Sequence, residues 1–481
     1  MMLRQTLLYL PAQLLGPLAM FVAAVVWTHL LDAETYGVVS YVLAAQELVY
    51  MATIAWWSLY ALRFRAAMDE DRRRRLVEAD NAVVLGGALL QVVAAVPLLL
   101  TLDMTPTTGF FVASAVLFVT RSLLTHYSEI ARTEQAIATY TIAQLAGPLV
   151  GTLASFVGVV AFGATPTAAI AGIAVVQALG LAVVMVRLGV KPKIPLPGRD
   201  VIGDALVYGL PMLATGMLAW IATNGIRLVV DQLAGAEALG LLSVGWGLGQ
   251  RVSSVAAMLL TAAAFPIAVR LFESGDEEGA LKQLADNGSM LFALLAPTTA
   301  GVAMVSRPLV EAMIAEPFRA ATIAILPLAV LAGSIRNQRA HYVDQLFLLH
   351  TAPGRMVPLM AIEALGCVVG VAVGLVWGGG GIAGLVWATV GCVAGTLSAA
   401  VLTMAIAMKD YRLRPQWSRW ARILGATGAM CAVLAVVPWG RGTLALIGEI
   451  VAGVIVYGAV MALLFPSERG FVITKLRRRT G

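Results

Sequence analysis

Charged residues are scarce in this sequence. Asp, Glu, Lys and Arg make up 12% of the 481 residues, while 60% are hydrophobic and the mean hydropathy is +0.86. So little polar surface cannot cover a soluble domain, which excludes a water-soluble enzyme or binding module. The composition therefore predicts an all-α polytopic membrane protein.

Other absences narrow the chemistry. The three cysteines, Cys367, Cys392 and Cys431, stand singly in apolar stretches, and the four histidines lack the spacing of metal ligands. No G-x-x-x-x-G-K-[ST] loop is present for direct ATP hydrolysis, and no G-x-S-x-G motif for a hydrolase. We expect no metal, no cofactor and no enzyme activity, so that energy comes from an ion gradient, the membrane potential or consumption of product.

Apolar stretches of about 20 residues, the length that crosses a bilayer, recur from Leu7 to Phe465. The first continues to Leu31 without a cleavage site of small residues, so we expect it to be a retained span. About fourteen spans are predicted, at residues 7–31, 37–60, 79–101, 109–126, 139–162, 167–187, 205–227, 239–265, 288–306, 320–344, 356–377, 382–407, 422–438 and 443–465.

The basic residues give the orientation. Most of the 33 lysines and arginines fall in alternate segments, beginning with Arg4, passing through Arg72–Arg75, Arg121 and Arg132, and ending with the tail Lys475–Arg479. The intervening segments hold only Arg227, Arg307, Arg319 and Arg441. Because basic loops stay in the cytoplasm, both termini are predicted to be cytoplasmic and the protein to lie in the inner membrane. This distribution satisfies orientation alone, so we expect no nucleic-acid partner.

An internal repeat divides the chain. Ala33, Glu34, Gly37 and Ser40 recur as Ala236, Glu237, Gly240 and Ser243 at a constant offset of 203, and a weaker echo links Tyr9 and Pro11 with Tyr208 and Pro211. Six spans separate the copies, and an even number makes the repeat parallel. We predict an N-terminal lobe at 1–190, a proline-rich cytoplasmic linker at 191–204, a C-terminal lobe at 205–408, and two extra C-terminal spans with a basic tail at 409–481.

The segments Leu31–Leu43 and Tyr208–Ser243 resemble the polysaccharide-export flippases of the multidrug/oligosaccharidyl-lipid/polysaccharide (MOP) superfamily. The resemblance implies an alternating-access transporter that moves a polyprenyl-diphosphate-linked oligosaccharide from the cytoplasmic to the periplasmic leaflet. It also implies membrane lipids, a polysaccharide polymerase and export machinery as partners, and a monomer. One departure is that Ile226 precedes Arg227, where the family often has an acid; here the acid is Asp231.

Ionisable residues inside spans are the candidate site, because each costs about 2.5–3.5 kcal/mol on insertion scales. Arg251 lies near the middle of span 8, and the repeat maps Glu47 of span 2 onto its neighbour Gln250. We predict that Arg251 binds a diphosphate, because a guanidinium is always charged and grips phosphate at two points. Glu47 is predicted to lie beside it, and an ion pair that only orients the lobes is the alternative.

Span 10 carries a second set of charges. Arg336 and Arg339 are three residues apart, so they share a helix face and are further candidates for substrate binding. Asp344 and, in span 11, Glu363 are predicted as coupling residues or as their ion-pair partners. The alternative is that both arginines lie at a cytoplasmic helix end and extend their side chains to the lipid headgroups.

Weaker signals are interpreted conservatively. His29 and His126 are expected to be solvated interfacial residues rather than proton relays. Trp56, Trp57, Trp417, Trp420 and Trp439 are expected to be interface anchors.

Three rival functions remain open. A drug antiporter of the same superfamily would need an acid-rich cavity, whereas arginine is central here. A peptidoglycan-precursor flippase would need much the same headgroup chemistry. A glycan polymerase or ligase would need a large outer loop, and the predicted outer loops are short.

Overall fold

The computed structural model of the chain describes residues 19–65, 70–102, 107–190, 198–350, 352–440 and 442–466. Within these ranges the regular secondary structure is entirely helical. The Tyr9–Pro11 echo, linker residues 191–197 and the basic tail 467–481 lie outside the described residues.

The helices follow the order of the predicted spans. We number them α1 (Ala19–Leu30), α2 (Ala33–Phe64), α3 (Glu70–Leu100), α4 (Thr108–Thr133), α5 (Ile137–Phe162), α6 (Pro166–Arg187), α7 (199–234), α8 (236–273), α9 (Glu277–Met313), α10 (Glu316–Leu349), α11 (Met356–Gly378), α12 (Gly381–Asp410), α13 (Trp417–Val436) and α14 (Thr443–Leu464).

Twelve continuous helices in the described part are long and apolar enough to cross a bilayer. One of them contains both α7 and α8, because the chain runs from Arg199 to Glu273 with a single break at Gly235. The shorter α1 overlaps the first predicted span. The protein is therefore a multi-pass membrane protein with fourteen helices in the described ranges, as predicted.

Two connections between the predicted spans are shorter in the structure than predicted. Arg72–Arg75 belong to the exposed first turns of α3, which begins at Glu70. The connection between the spans predicted at 239–265 and 288–306 shrinks to residues 274–276, because α8 and α9 extend into it. Polar residues at the end of a membrane helix continue its backbone hydrogen bonds into water, and a search based on hydropathy does not register that extension.

The two copies of the repeat begin with equivalent breaks in the chain. The Asp32 side chain accepts a hydrogen bond of 2.8 Å from the Thr35 backbone N–H and caps the start of α2. The equivalent position, 203 residues later, is Gly235, which separates α7 from α8 with φ of 85°. Glycine suits that position because a Cβ is disfavoured at positive φ.

The chain forms two compact units. The first comprises Met1–Val244 with Val371–Ala388, and the second comprises Gly245–Gly370 with Thr389–Gly481. In the first unit, the two repeat glycines contact each other's helix: a Cβ on Gly37 would overlap the Ala236 carbonyl, and a Cβ on Gly240 would overlap the Ala33 carbonyl. The repeated motif is thus a reciprocal close contact between α2 and the start of α8.

In the second unit, glycines also bring α11 and α12 together. Cβ atoms added at Gly370 or Gly391 would overlap backbone atoms of the facing helix. Small residues at such crossings let membrane helices pack closely. This close packing of α11 and α12 places two free cysteines near each other, with 3.4 Å between the Cys367 thiol and the Cys392 carbonyl oxygen. Both are buried.

Candidate functional site

A buried cluster of charges lies in the second unit, where α10 faces α11. The Glu363 carboxylate contacts two arginines, with 2.8 Å between Arg336 Nε and Oε1 and 2.6 Å between Arg339 Nη2 and Oε2. Glu363 and Arg339 are only 1% and 5% exposed. The spacing of three residues on α10 brings both guanidinium groups to one carboxylate.

A short π-helical stretch adds a second acid to the cluster. Residues Arg339–Val343 form a π-helix, in which the Asp344 backbone N–H bonds to the Arg339 carbonyl, five residues earlier. That register stacks the two side chains, and Arg339 Nε lies 3.3 Å from Asp344 Oδ2. In a regular α-helix, residues five apart diverge around the axis.

Arg336 is held on all sides of its guanidinium. Nη1 donates to Gln250 Oε1 at 3.0 Å, and Nη2 donates to Thr396 Oγ1 at 3.2 Å, in addition to the ion pair with Glu363. The Gln250 amide also donates to the Ala329 carbonyl at 2.9 Å. Arg336 therefore joins α8, α10, α11 and α12 within the second unit, and its guanidinium is not a helix end that reaches headgroups.

A cavity of about 790 Å³ adjoins this cluster in the same unit. Most of its wall is aliphatic or aromatic, and its polar members include Thr299, Ser334, Gln338 and Arg339. The walls come from four helices, α9, α10, α12 and α13. Its volume lies within the range of ligand pockets, roughly 300–1,000 Å³.

Arg339 belongs to both the cluster and the cavity. Besides its two ion pairs, its Nη1 is buried without a hydrogen-bond acceptor among the described residues. Gln338 Oε1, which shares the cavity wall, is likewise buried, and no donor among the described residues reaches it. An unmet donor on a buried guanidinium is costly, and an anionic oxygen from a ligand would meet it.

Aromatic rings form one side of the cavity. Phe292 and Trp420 stack with centroids 4.6 Å apart and an interplanar angle of 15°, and Trp420 Nε1 donates to Ser289 Oγ at 3.2 Å. Trp417 is 54% exposed, while Trp420 is partly buried in the wall. Trp420 thus contributes to the cavity wall, and its role as an interface anchor stays a prediction.

Arg251 and Glu47 lie in different units. Arg251 is a half-buried residue of α8 in the second unit, and Glu47 is a half-buried residue of α2 in the first. Glu47 acts electrostatically on Arg121. The sequence pattern placed Arg121 among the cytoplasmic basic residues, but it lies in the middle of α4. Binding roles for Arg251 and Glu47 stay predictions.

Sequence reasoning missed a buried polar network in the first unit. His126 Nε2 lies 3.0 Å from Asp80 Oδ1, His126 Nδ1 lies 2.8 Å from Ser58 Oγ, and Trp57 Nε1 donates to Asp80 Oδ1 at 2.6 Å. His126 is 1% exposed and Trp57 fully buried. The interpretations of His126 as solvated and of Trp57 as an interface anchor were wrong.

Metal ligation has no support in the described ranges, where no group of three or more His, Cys, Asp or Glu side chains converges on one point. The candidate site is therefore an ion-paired cluster beside an apolar cavity.

Several solved structures are similar to this chain. A structure described as the lipid II flippase MurJ in an inward closed conformation matches with a TM-score of 0.72 at 11% identity, covering 96% of this chain and 99% of that one. An inward-facing multidrug resistance MATE family transporter of the MOP superfamily matches at 0.60 and 14% identity, over 85% and 96% of the two chains. A MOP superfamily transporter from Pyrococcus furiosus, described as having a binding pocket of reverse polarity, matches at 0.52 and 16% identity, over 84% and 94%.

These similarities establish the fold. A search of curated proteins found no match. A family model described as "Polysaccharide biosynthesis protein" matches residues 26–323, which is more than half of the 481-residue chain. The resemblance seen in the sequence is thereby confirmed: the chain belongs to the polysaccharide biosynthesis protein family and has the fold of the MOP superfamily.

Proposed function

We propose that this protein is a flippase that transfers a polyprenyl-diphosphate-linked oligosaccharide from the cytoplasmic to the periplasmic leaflet of the inner membrane. The family membership supports a role in polysaccharide synthesis, and the fold supports transport by alternating access. Such a substrate has a long apolar chain, a diphosphate and a polar glycan. Its carrier needs an apolar surface next to a fixed positive charge.

The observation that carries the proposal is the position of Arg339. It lies in the wall of the apolar cavity, and its Nη1 is buried without an acceptor among the described residues. An isoprenoid segment fits the aliphatic wall, where Leu331 and Val401 contribute apolar surface. A diphosphate oxygen would then accept the unmet hydrogen bond, which is stronger when both partners are charged.

The distribution of charge disfavours an exporter of organic cations. The residue that joins the cluster to the cavity wall is an arginine, and neither Glu363 nor Asp344 lines the cavity. The guanidinium of Arg339 would repel an organic cation in the cavity. An anionic amphiphile matches both the sign and the apolar surroundings.

Flipping is testable in proteoliposomes with a fluorescently tagged polyprenyl-diphosphate disaccharide, whose outer-leaflet copies are quenched by dithionite. Wild-type protein should make about all of the label accessible with time, whereas protein-free vesicles keep about half protected. Filling the cavity with Ala300→Trp should slow flipping, since Ala300 lines its wall. The matched control is Ala320→Trp, which adds the same side chain to an exposed alanine of α10 outside the cavity.

Two comparison probes separate the alternatives. Lipid II in the same vesicles tests a peptidoglycan-precursor flippase, which the similarity to the lipid II flippase structure favours as the second candidate. Ethidium tests a drug antiporter. Faster movement of lipid II than of the oligosaccharide lipid would reassign the substrate, and movement of ethidium alone would reject the anionic-substrate proposal. Equal rates for Ala300→Trp and Ala320→Trp would remove the cavity from the pathway.

A further inference from the structure

We propose that Asp80, His126 and Ser58 form a proton-binding site, and that loading and unloading this site couples transport to the proton gradient. The inference rests on the proposed transport function and adds its driving ion. It concerns a part of the molecule separate from the charge cluster, since the three residues lie in the first unit and the cluster lies in the second.

The site is a chain of hydrogen bonds that crosses three helical segments. Ser58 on α2 meets His126 Nδ1 on α4 at 2.8 Å, and His126 Nε2 meets both carboxylate oxygens of Asp80 on α3, at 3.0 and 3.1 Å. Asp80 also accepts the 2.6 Å bond from Trp57 Nε1.

The His126 imidazole lies between the Asp80 carboxylate, which accepts hydrogen bonds, and the Ser58 hydroxyl, which can either donate or accept one. With His126 neutral, its Nε2–H donates to Asp80, and Ser58 donates its hydroxyl hydrogen to Nδ1. With His126 charged, both ring nitrogens donate, so Ser58 becomes the acceptor and turns its own hydrogen elsewhere. A proton can therefore enter or leave the ring with no heavy atom displaced in the chain.

The apolar surroundings of Asp80, His126 and Ser58 increase the energetic effect of adding or removing a proton. The chain lies within an apolar cluster that includes Ile54, Leu124 and Val184, and Asp80, His126 and Ser58 are 5%, 1% and 6% exposed. In such a medium, a change of one unit of charge alters the energy of a conformation far more than at the surface. A purely structural contact would be served equally well by apolar side chains of similar volume.

The neighbouring charges can be assigned to their helices, beginning with α3 itself, which carries Arg75 and Glu78 shortly before Asp80. Arg65, which directly follows α2, acts electrostatically on Asp80, and α4 brings Glu129 along with Tyr127, whose ring lies 5.2 Å from His126. α5 contains no charged residue and offers Tyr140, while α6 has only the terminal Arg187. α7 places Asp200 and Asp204 near Tyr60.

A route to water begins at Arg65. A narrow crevice lined by Ser58, Arg65, His126 and Glu129 runs beside the chain, and in this conformation it is too tight to hold a water molecule. At its margin Arg65 forms a 2.6 Å ion pair with Glu134, which is 31% exposed. Opening this pair would admit water to His126, so proton exchange is tied to a conformational change.

Trp57 supplies a direct probe of proton binding, independent of transport. Tryptophan fluorescence of the purified protein should show a pH-dependent transition, because Trp57 donates to the same Asp80 carboxylate that His126 contacts. His126→Gln and Trp57→Phe should each lose that transition. Ser122→Ala should retain it, because Ser122 belongs to a buried network in the same unit, with Gln46 and Gln91, that contains no titratable group. A transition that persists in His126→Gln would overturn the inference.

The coupling is tested with the tagged disaccharide lipid in vesicles held at zero membrane potential. If one proton moves per substrate, a gradient of one pH unit changes the equilibrium ratio between leaflets about tenfold. His126→Gln and the isosteric Asp80→Asn should return the ratio to about one, while Ser122→Ala keeps the full shift. A wild-type ratio of one with normal flipping would refute the coupling alone. Absence of flipping in wild type would instead refute the proposed function, and the fluorescence titration would still report proton binding.

Discussion

Replacing Glu363 by Gln is the most informative perturbation of the charge cluster. Glu363 is 1% exposed and serves two arginines at once, at 2.8 and 2.6 Å. A pair of unit charges at 4 Å interacts by about 4 kcal/mol at an effective dielectric constant of about 20. Glutamine keeps the shape but removes the carboxylate that both guanidinium groups contact, while the Asp344 carboxylate still contacts Arg339.

The expected loss of stability is large. Removing one partner of a buried pair typically costs about 3–5 kcal/mol, and Glu363 has two partners, so we expect the upper part of that range. The free energy of unfolding would be measured in dodecyl maltoside micelles titrated with SDS. Glu311→Gln is the matched control, because its pair with Arg307 spans 4.0 Å and the two side chains are 53% and 75% exposed. An exposed pair contributes about 0–1 kcal/mol.

The same variant tests the anion-binding proposal. With Glu363 neutralised, inorganic pyrophosphate should stabilise the protein, by about 2.7 kcal/mol at a concentration one hundred times its dissociation constant. Wild type should respond less, because Glu363 competes for the arginines. A loss below about 1 kcal/mol for Glu363→Gln, similar to an exposed pair, would refute the reasoning about the cluster. Full destabilisation without any pyrophosphate response would leave an ion pair that only supports the fold.

Three further predictions concern single residues. Gly37→Ala should destabilise the protein by about 1–3 kcal/mol through overpacking against Ala236, whereas Gly86→Ala, where a Cβ meets nothing within 4 Å, should be neutral or stabilising by up to about 1 kcal/mol; SDS unfolding compares them, and equal effects would contradict the close contact. Trp57→Phe should cost about 1.5–3 kcal/mol in the same assay, since it removes a hydrogen bond to the Asp80 carboxylate, and an unchanged free energy of unfolding would show that the bond contributes nothing. Arg251→Ala and Arg251→Lys should build up lipid-linked intermediates on the cytoplasmic leaflet of cells with normal protein levels, by about tenfold if about 1.4 kcal/mol of phosphate binding is lost; normal polymer export in both variants would make Arg251 structural.

The helices were predictable because hydropathy alone marks a membrane-spanning stretch. The ends were not, since helices such as α3 and α9 extend beyond the apolar stretch into charged residues, beginning at Glu70 and Glu277. The repeat was predictable from four residues, and Gly37 and Gly240 prove to touch each other's helix. The sequence did not show why glycine is needed at these two positions. The reason is a close contact with the backbone of the other helix and not a turn.

The charge cluster was only partly predictable. Spacing on one helix brought Arg336 and Arg339 together, and Glu363 followed as the nearby acid of the next span. The i, i+5 pairing of Arg339 with Asp344 depends on a π-helical stretch that no local pattern announces. Asp80 and His126 were out of reach for a different reason: 46 residues separate them, and only the packing of α3 on α4 makes them a pair.

The two buried polar centres differ in the kind of charge they hold. Arginine stays protonated throughout the physiological range, so the cluster in the second unit offers a constant positive group to an anion, with Glu363 as an internal competitor for that group. Histidine changes its charge within that range, so the Asp80–His126–Ser58 chain in the first unit can respond to a gradient. A carrier that moves an anionic lipid against its distribution needs both properties, and placing them on one residue would make substrate affinity vary with pH. Separate centres allow the affinity for substrate and the response to protons to be altered independently.

Variants at Asp80 should therefore shift the leaflet ratio without changing pyrophosphate binding. Variants at Glu363 should change pyrophosphate binding without shifting the leaflet ratio. If Asp80→Asn altered the pyrophosphate response of the second unit, this division of roles would be wrong.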